Sequence, residues 1–183
     1  MRKGLIVLVM LMTCTWASAQ ITWNVKAGAG VAWIGDLNKK FGWKVGVGIE
    51  KPFSTNWLIM PTLELKQKGC TYEGLDATLL YAQLPIMAAY RTRLSKSVNM
   101  TFKAGPYLAY GFSGNVSADG YDDYDFFDVE GERFDYGLML GVDFEYHRMV
   151  FGMEWEQGLA NVFASNEVSA ENAAAYITIG YKF

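Results

Sequence analysis

Cysteine, histidine and proline are scarce in this chain: its 183 residues hold two, one and four of them. Cys14 falls in an N-terminal segment that reads as removable. Cys70 is then left alone, which excludes an intrachain disulfide in the remainder. His147 has no serine, cysteine or second histidine patterned beside it. Neither a Ser/His/Asp arrangement nor a metal centre is expected, and no cofactor. No glycine-rich phosphate loop is present. Basic charge is not in excess, with 16 Lys and Arg against 19 Asp and Glu, which argues against a nucleic-acid partner. After the first 20 residues no run of about 18 apolar residues occurs, so no helical membrane span is expected. An enzyme is not expected from any of this.

Against these absences stand 51% hydrophobic residues, 15% aromatics and 19 glycines. Residues 1–19 have the form of a secretory signal peptide: Arg2 and Lys3, the apolar stretch Leu5 to Met12, then Ala17-Ser18-Ala19 before Gln20. Its removal leaves 14 basic and 19 acidic side chains in residues 20–183. Abundant apolar content without an apolar run points to alternation, and alternation is found. Eight segments carry apolar residues at every second position: 21–34, 41–50, 57–68, 80–91, 98–110, 134–146, 149–156 and 172–183. The last runs Ala173, Ala175, Ile177, Ile179, Tyr181, Phe183 on one face.

Connections alternate in length. Those at 51–56, 95–97 and 147–148 read as tight turns, whereas 35–40 reads as a loop and those at 69–76, 113–133 and 158–171 are longer. In an up-and-down meander the short turns then share one end. Aromatic residues fall at two heights. Trp23, Trp57, Tyr90, Phe144, Tyr146, Tyr181 and Phe183 lie near the short turns; Trp33, Phe41, Trp43, Tyr110, Phe134, Tyr136 and Trp155 lie near the longer connections. The expected fold is all-β: an eight-stranded antiparallel up-and-down transmembrane β-barrel in the outer membrane, occupying residues 20–183. Its alternate face collects Lys26, Lys44, Lys66, Lys68, Arg91, Arg93, Lys103 and Lys182. Opposing them are Glu50, Glu64, Asp135, Asp143, Glu145, Glu154 and Glu156. An eight-stranded barrel is just wide enough to be filled by side chains. These charges are therefore expected to form a sealed lumenal ion-pair network, the alternative being a narrow pore. Pro61, Pro85 and Pro106 sit inside strands, where bulges are expected.

Several strands resemble those of the PorT-like outer-membrane barrel proteins of the Bacteroidetes. The matching stretches are Met60-Pro61 to Lys68-Gly69, Tyr81 to Leu84-Pro85-Ile86 and Tyr90-Arg91, and Lys103 to Gly105-Pro106-Tyr107-Leu108. Val25 to Gly28 fits the first strand. The resemblance implies the same barrel, toleration of strand prolines, and an accessory role in protein secretion as an alternative function. It also implies that Tyr181 and Phe183 form the terminal signal read by the barrel assembly machinery. The acidic loop 113–133 interleaves Tyr121, Asp122, Asp123, Tyr124, Asp125, Phe126 and Phe127. This is a candidate surface for a protein or glycan ligand rather than a calcium loop, because its spacing matches no EF-hand. Expected partners are thus outer-membrane lipid, the assembly machinery and a surface ligand, for a monomeric protein of structural or surface-interaction role.

Overall fold

The structure is a computed structural model that describes residues 21–35, 38–72, 75–118, 124–125, 127, 132–161 and 171–183. The expected leader lies outside these residues. The strands are β1 (Thr22–Ile34), β2 (Asn38–Pro52), β3 (Trp57–Tyr72), β4 (Leu75–Arg93), β5 (Val98–Ala118), β6 (Tyr124–Asp125), β7 (Phe134–Tyr146), β8 (Met149–Asn161) and β9 (Glu171–Lys182). Around the sheet the order is β4-β3-β2-β1-β9-β8-β7-β5, and β4 pairs with β5, so the ring closes on eight antiparallel strands. The short β6 lies outside the ring, paired with Asn115 and Val116 of β5.

The last strand closes the ring, as an up-and-down barrel requires. β9 pairs with β1 from Asn24↔Lys182 to Ile34↔Asn172, and on its other edge with β8. Every strand of the ring therefore has two neighbours, so its backbone donors and acceptors are met inside the sheet, as lipid demands.

Alternation sorts the side chains. Outward positions are apolar and exposed, among them Val25, Val45, Leu63, Ile86, Leu108, Leu140, Met153 and Ile177. Inward positions are buried, and they mix charged and polar side chains with apolar ones such as Met60, Met87 and Met139. Edge-to-face aromatic pairs brace both rims. Trp57–Tyr90 and Tyr181–Phe183 do so at the short-turn end, Trp33–Trp155 and Tyr110–Phe134 at the other.

Two expectations are corrected. The strand prolines cause no bulge. Pro61↔Ile86 and Glu64↔Gln83 share one register, as do Pro85↔Tyr107 and Ala88↔Ala104, and Pro106↔Leu138 sits in an unbroken ladder. The register shifts fall elsewhere, between Lys39 and Lys44, between Leu80 and Tyr81, and between Gln157 and Asn161. All four of the expected loops are also shorter than expected, two of them markedly. β3 and β4 are separated only by residues 73–74, and β5 continues to Ala118. Apolar alternation marks the length of strand that meets lipid. Beyond that band the pairing persists because backbone groups still need partners.

Candidate functional site

Among the described residues, chemistry-bearing side chains from every strand of the ring converge in the lumen. β1 contributes Lys26, β2 Lys44 and Glu50, β3 Glu64, Lys66 and Lys68, and β4 Arg91. β5 adds Lys103, β7 Asp135, Asp143 and Glu145, β8 Glu154 and Glu156, and β9 Lys182. Period-two geometry puts them all on the inner face, and adjacent registers stack them into tiers.

The lowest tier, nearest the short turns, is a small cluster. Arg91 Nη2 donates to Glu50 at 2.5 Å, Lys182 Nζ reaches Glu50 at 2.8 Å, and Glu145 accepts from Lys182 at 2.5 Å. Above it lies a continuous chain. Lys26 and Lys103 hold Asp143 at 2.7 and 2.8 Å, and Lys103 also meets Glu154 at 2.5 Å. Glu154 binds Lys44, which binds Glu64 at 2.9 Å, and Glu64 lies 2.9 Å from Lys66. Lys66 binds Glu156, which faces Lys68 at 3.5 Å, and Lys68 reaches Asp135 at 3.2 Å. Asp135 further accepts from Tyr107 Oη at 3.3 Å and Asn172 Nδ2 at 3.1 Å.

The charges balance in both groups. The lower cluster has two cations and two carboxylates, and the chain above has five of each. Such balance is the condition for retaining ionised groups in a water-poor interior. Arg93, expected as the eighth lumenal cation, is a correction. It sits exposed at the rim, outside the network, and its absence makes the count even.

Tyrosines roof the lysines. Lys68 Nζ lies 5.0 Å from the Tyr107 ring and 5.4 Å from Tyr81. Lys44 and Lys66 flank Tyr176 at 5.4 and 5.5 Å. These three tyrosines were absent from the expected site, although each occupies the polar face of its strand. A cation held over an aromatic face keeps part of its stabilisation without water. In mid-lumen a cavity of about 10 Å³ lies among Lys26, Met60, Glu64, Met87, Lys103, Met139 and Glu154, roughly the room of one water. A larger cavity of about 240 Å³ opens at the short-turn end, beside Glu50, Leu58 and Arg91.

At the opposite mouth the filling becomes apolar, with Leu79, Tyr81, Tyr107 and Ala109. Phe127 joins them. It is 7% exposed, edge-to-face with Tyr81 at 5.8 Å, and lies under Arg133. Only glycine fits beneath it, because a Cβ on Gly111 would fall 2.2 Å from the Phe127 ring. Phe127 was expected to join the loop's recognition surface; the structure turns it into the barrel instead. Of its companions, Tyr121, Asp122, Asp123 and Phe126 lie outside the described residues. Tyr124 and Asp125 form β6.

The remaining charges separate by end. The short-turn end bears Lys51, Arg93, Lys96 and Arg148 with no acidic side chain. The connections and strand ends opposite hold three cations, Lys39, Lys40 and Arg133, against twelve carboxylates. His147 is also at the short-turn end, exposed, with a positive φ of 55°. No cluster of metal-ligating side chains occurs among the described residues.

Comparison with known proteins agrees with this geometry. Residues 24–164 match the family described as the outer membrane protein beta-barrel domain. Comparison with curated protein sequences finds no match. Among solved structures, Neisserial surface protein A is similar at a TM-score of 0.57 and 13% identity, with 91% of this chain and 99% of that chain covered. Ail, the attachment invasion locus protein of Yersinia pestis, solved with the heparin analogue sucrose octasulfate, is similar at 0.52 and 12%, with 91% and 99% covered. The outer membrane enzyme PagL is similar at 0.59 and 11%, with 86% and 98% covered. At these identities the likeness speaks for the fold alone.

Proposed function

Because the chain belongs to the outer membrane β-barrel domain family and sits in the outer membrane, we propose that it is a sealed, non-enzymatic barrel that acts through what it displays outside the cell. The observation that carries this reading is the charge-balanced lumen, with a cavity of about 10 Å³ at its middle. A barrel of this kind offers no path to solutes and holds its strands rigidly. Function then passes to the connections at the open end, which carry twelve carboxylates and the aromatic residues of 113–133. Barrels of this family have short periplasmic turns and longer extracellular loops, so that end faces outward.

The net charge of the displayed end favours a cationic protein surface over a polyanionic glycan. Ail was solved with a sulfated ligand, whereas the acidic loops here repel such groups. PagL is an enzyme on the same fold. The non-enzymatic reading rests on this chain's own residues, because its single histidine lies at the periplasmic turn, far from the outer rim.

Two measurements test the proposal. Planar bilayers holding the folded barrel should show no steady unitary conductance; regular ion-selective openings would replace the sealed reading with that of a pore. Replacing Tyr121 to Phe126 with a Gly/Ser linker should abolish adhesion to a basic protein surface while the barrel stays folded. Unchanged adhesion would remove the loop from the argument. The PorT-like strand motifs support one further reading, an accessory role in secretion, for which a deletion strain should fail to export cargo.

A further inference from the structure

Three methionines stand inside the barrel wall, and neither the ion pairs nor the outer mouth uses them. Met60, Met87 and Met139 are the inward-facing methionines among the described residues, and all three are buried. Register brings them together. Met60 and Met87 are direct cross-strand partners on β3 and β4, and Met139 of β7 lies opposite Gly105 of β5. In the ring, β5 stands between β4 and β7. A Cβ on Gly105 would fall 2.1 Å from the Ile86 carbonyl oxygen and 2.9 Å from Met87 Cα. Glycine at that position leaves no side chain between Met87 and Met139.

Methionine commonly fills irregular gaps in a core, yet here a gap remains. All three side chains line the mid-lumen cavity of about 10 Å³. Lys26 and Lys103 share that lining, but their ammonium groups are held on Asp143 at 2.7 and 2.8 Å. Beside Met139 lies an amide with an unmet need. Gln83 is 1% exposed, its Nε2 is 3.3 Å from Met139 Sδ, and its Oε1 has no hydrogen-bond partner. A half-turn of the amide sets the oxygen against Met139 in place of the nitrogen. Thioethers and an amide oxygen around a water-sized hole are a soft, uncharged donor set. Calcium and magnesium demand carboxylates and water, whereas thioethers select Cu(I). The approach is from the periplasmic side. Leu58 and Ala89 form the next inward pair below Met60 and Met87, and Leu58 lines the cavity of about 240 Å³ at the short-turn end.

We propose that Met60, Met87 and Met139 form a lumenal site for a soft monovalent cation, Cu(I), that is loaded from the periplasmic mouth. The three thioethers are its ligands, and Gln83 turns its amide oxygen toward the ion. Binding involves no change of oxidation state. A sealed barrel that takes up one such ion stays sealed, so the site is independent of what the outer loops display.

The test uses the folded full-length barrel in detergent micelles without oxygen, with Cu(I) as the probe and a chromogenic Cu(I) chelator as competitor. Cys70 and His147 carry donors for the same ion, so Cys70→Ser and His147→Ala are introduced first. This background should still withhold one Cu(I) per barrel from the chelator, and its X-ray absorption spectrum should show sulfur neighbours. Met60→Leu, Met87→Leu and Met139→Leu are close to volume-conserving. Each should weaken retention by roughly tenfold or more, because losing a ligand costs at least as much as losing a group that supports one. The triple variant should abolish it. Met153→Leu, on the lipid face, should keep it, and excess Zn(II) should not displace the ion. Should the triple variant fail the heat-shift test of folding, the three single variants decide. The proposal is overturned by a background protein that withholds no Cu(I), by a spectrum without sulfur, by retention unchanged in the lumenal methionine variants, or by displacement with Zn(II).

Discussion

Lys44 is the residue on which the lumenal network is most easily put to a quantitative test. Its ammonium is 1% exposed and meets Glu154, Glu64 at 2.9 Å and Glu156 at 3.9 Å. Lys44→Met keeps the length of the side chain and deletes the charge. Five carboxylates then face four cations in the continuous chain, and one negative charge is left without compensation in the low-dielectric interior. Breaking a buried pair in this way costs about 3–5 kcal/mol. Glu154→Gln alone leaves the opposite excess and should cost about as much by the same reasoning. The double variant is neutral again, four against four, because Lys103 retains Asp143 at 2.8 Å and Glu64 retains Lys66 at 2.9 Å. Its loss should be well below the sum of the two, with a coupling of about 1–3 kcal/mol. Urea unfolding in lipid vesicles, followed by tryptophan fluorescence and by mobility of the unheated protein on gels, measures all three variants. A double variant whose loss equals the sum of the singles would refute charge balance as the organising principle. Single variants as stable as the native barrel would mean that water enters the lumen and screens the charges.

Gly30→Ala should impair closure, because a Cβ there would lie 1.9 Å from the Ala175 carbonyl oxygen across the β1–β9 seam; overpacking of about 1–3 kcal/mol should show as a lower urea midpoint. Phe127→Ala should cost up to about 3–5 kcal/mol and increase dye access at the outer mouth, yet create no conductance, since the ion pairs below remain; a conducting variant would make Phe127 the seal. Deleting Phe183 should lower the folded fraction in cells far more than it lowers the urea midpoint of barrel refolded in vesicles, since Phe183 is 67% exposed and its principal backbone tie is its N–H on the Trp23 carbonyl at 2.9 Å. Equal losses in the two assays would count against an assembly signal.

The barrel was readable from sequence because lipid enforces a strict pattern. Every outward residue from Val25 to Ile179 must be apolar, so alternation alone locates strands, and β7 was expected over the same residues that form it. What escaped had no lipid to enforce it. The upper part of β5, from Gly111 to Ala118, leaves the membrane band and loses its alternation while keeping its partners. Fourteen of the fifteen expected lumenal charges line the interior, because parity along a strand determines the side of the wall. Arg93 has that parity but lies past the wall, where parity no longer encloses anything. The tyrosine roof was missed for a different reason. Tyr81, Tyr107 and Tyr176 have the same alternation inside the barrel as an interfacial aromatic has outside, and only the register across strands brings them over the lysines. The prolines misled because a missing donor was taken to demand a bulge, whereas the ladder keeps its register past each one.

The lumenal pairing also bears on how the molecule comes into being. The partners are far apart in sequence: Lys66 and Glu156 are separated by 90 residues, Lys44 and Glu154 by 110, Lys26 and Asp143 by 117. The β1–β5 half carries six lumenal cations, Lys26, Lys44, Lys66, Lys68, Arg91 and Lys103, against only Glu50 and Glu64, and the other five carboxylates arrive with β7 and β8. A nascent hairpin of β3 and β4 would therefore bring Lys66, Lys68 and Arg91 into hydrocarbon against Glu64 alone. Stepwise threading of hairpins into the bilayer is thus disfavoured at nearly every stage. The expected route is one in which both halves are present before entry, so that the sheet enters with its charges neutralised. The order of lysines and glutamates along the strands thus favours insertion of a largely assembled sheet over insertion hairpin by hairpin.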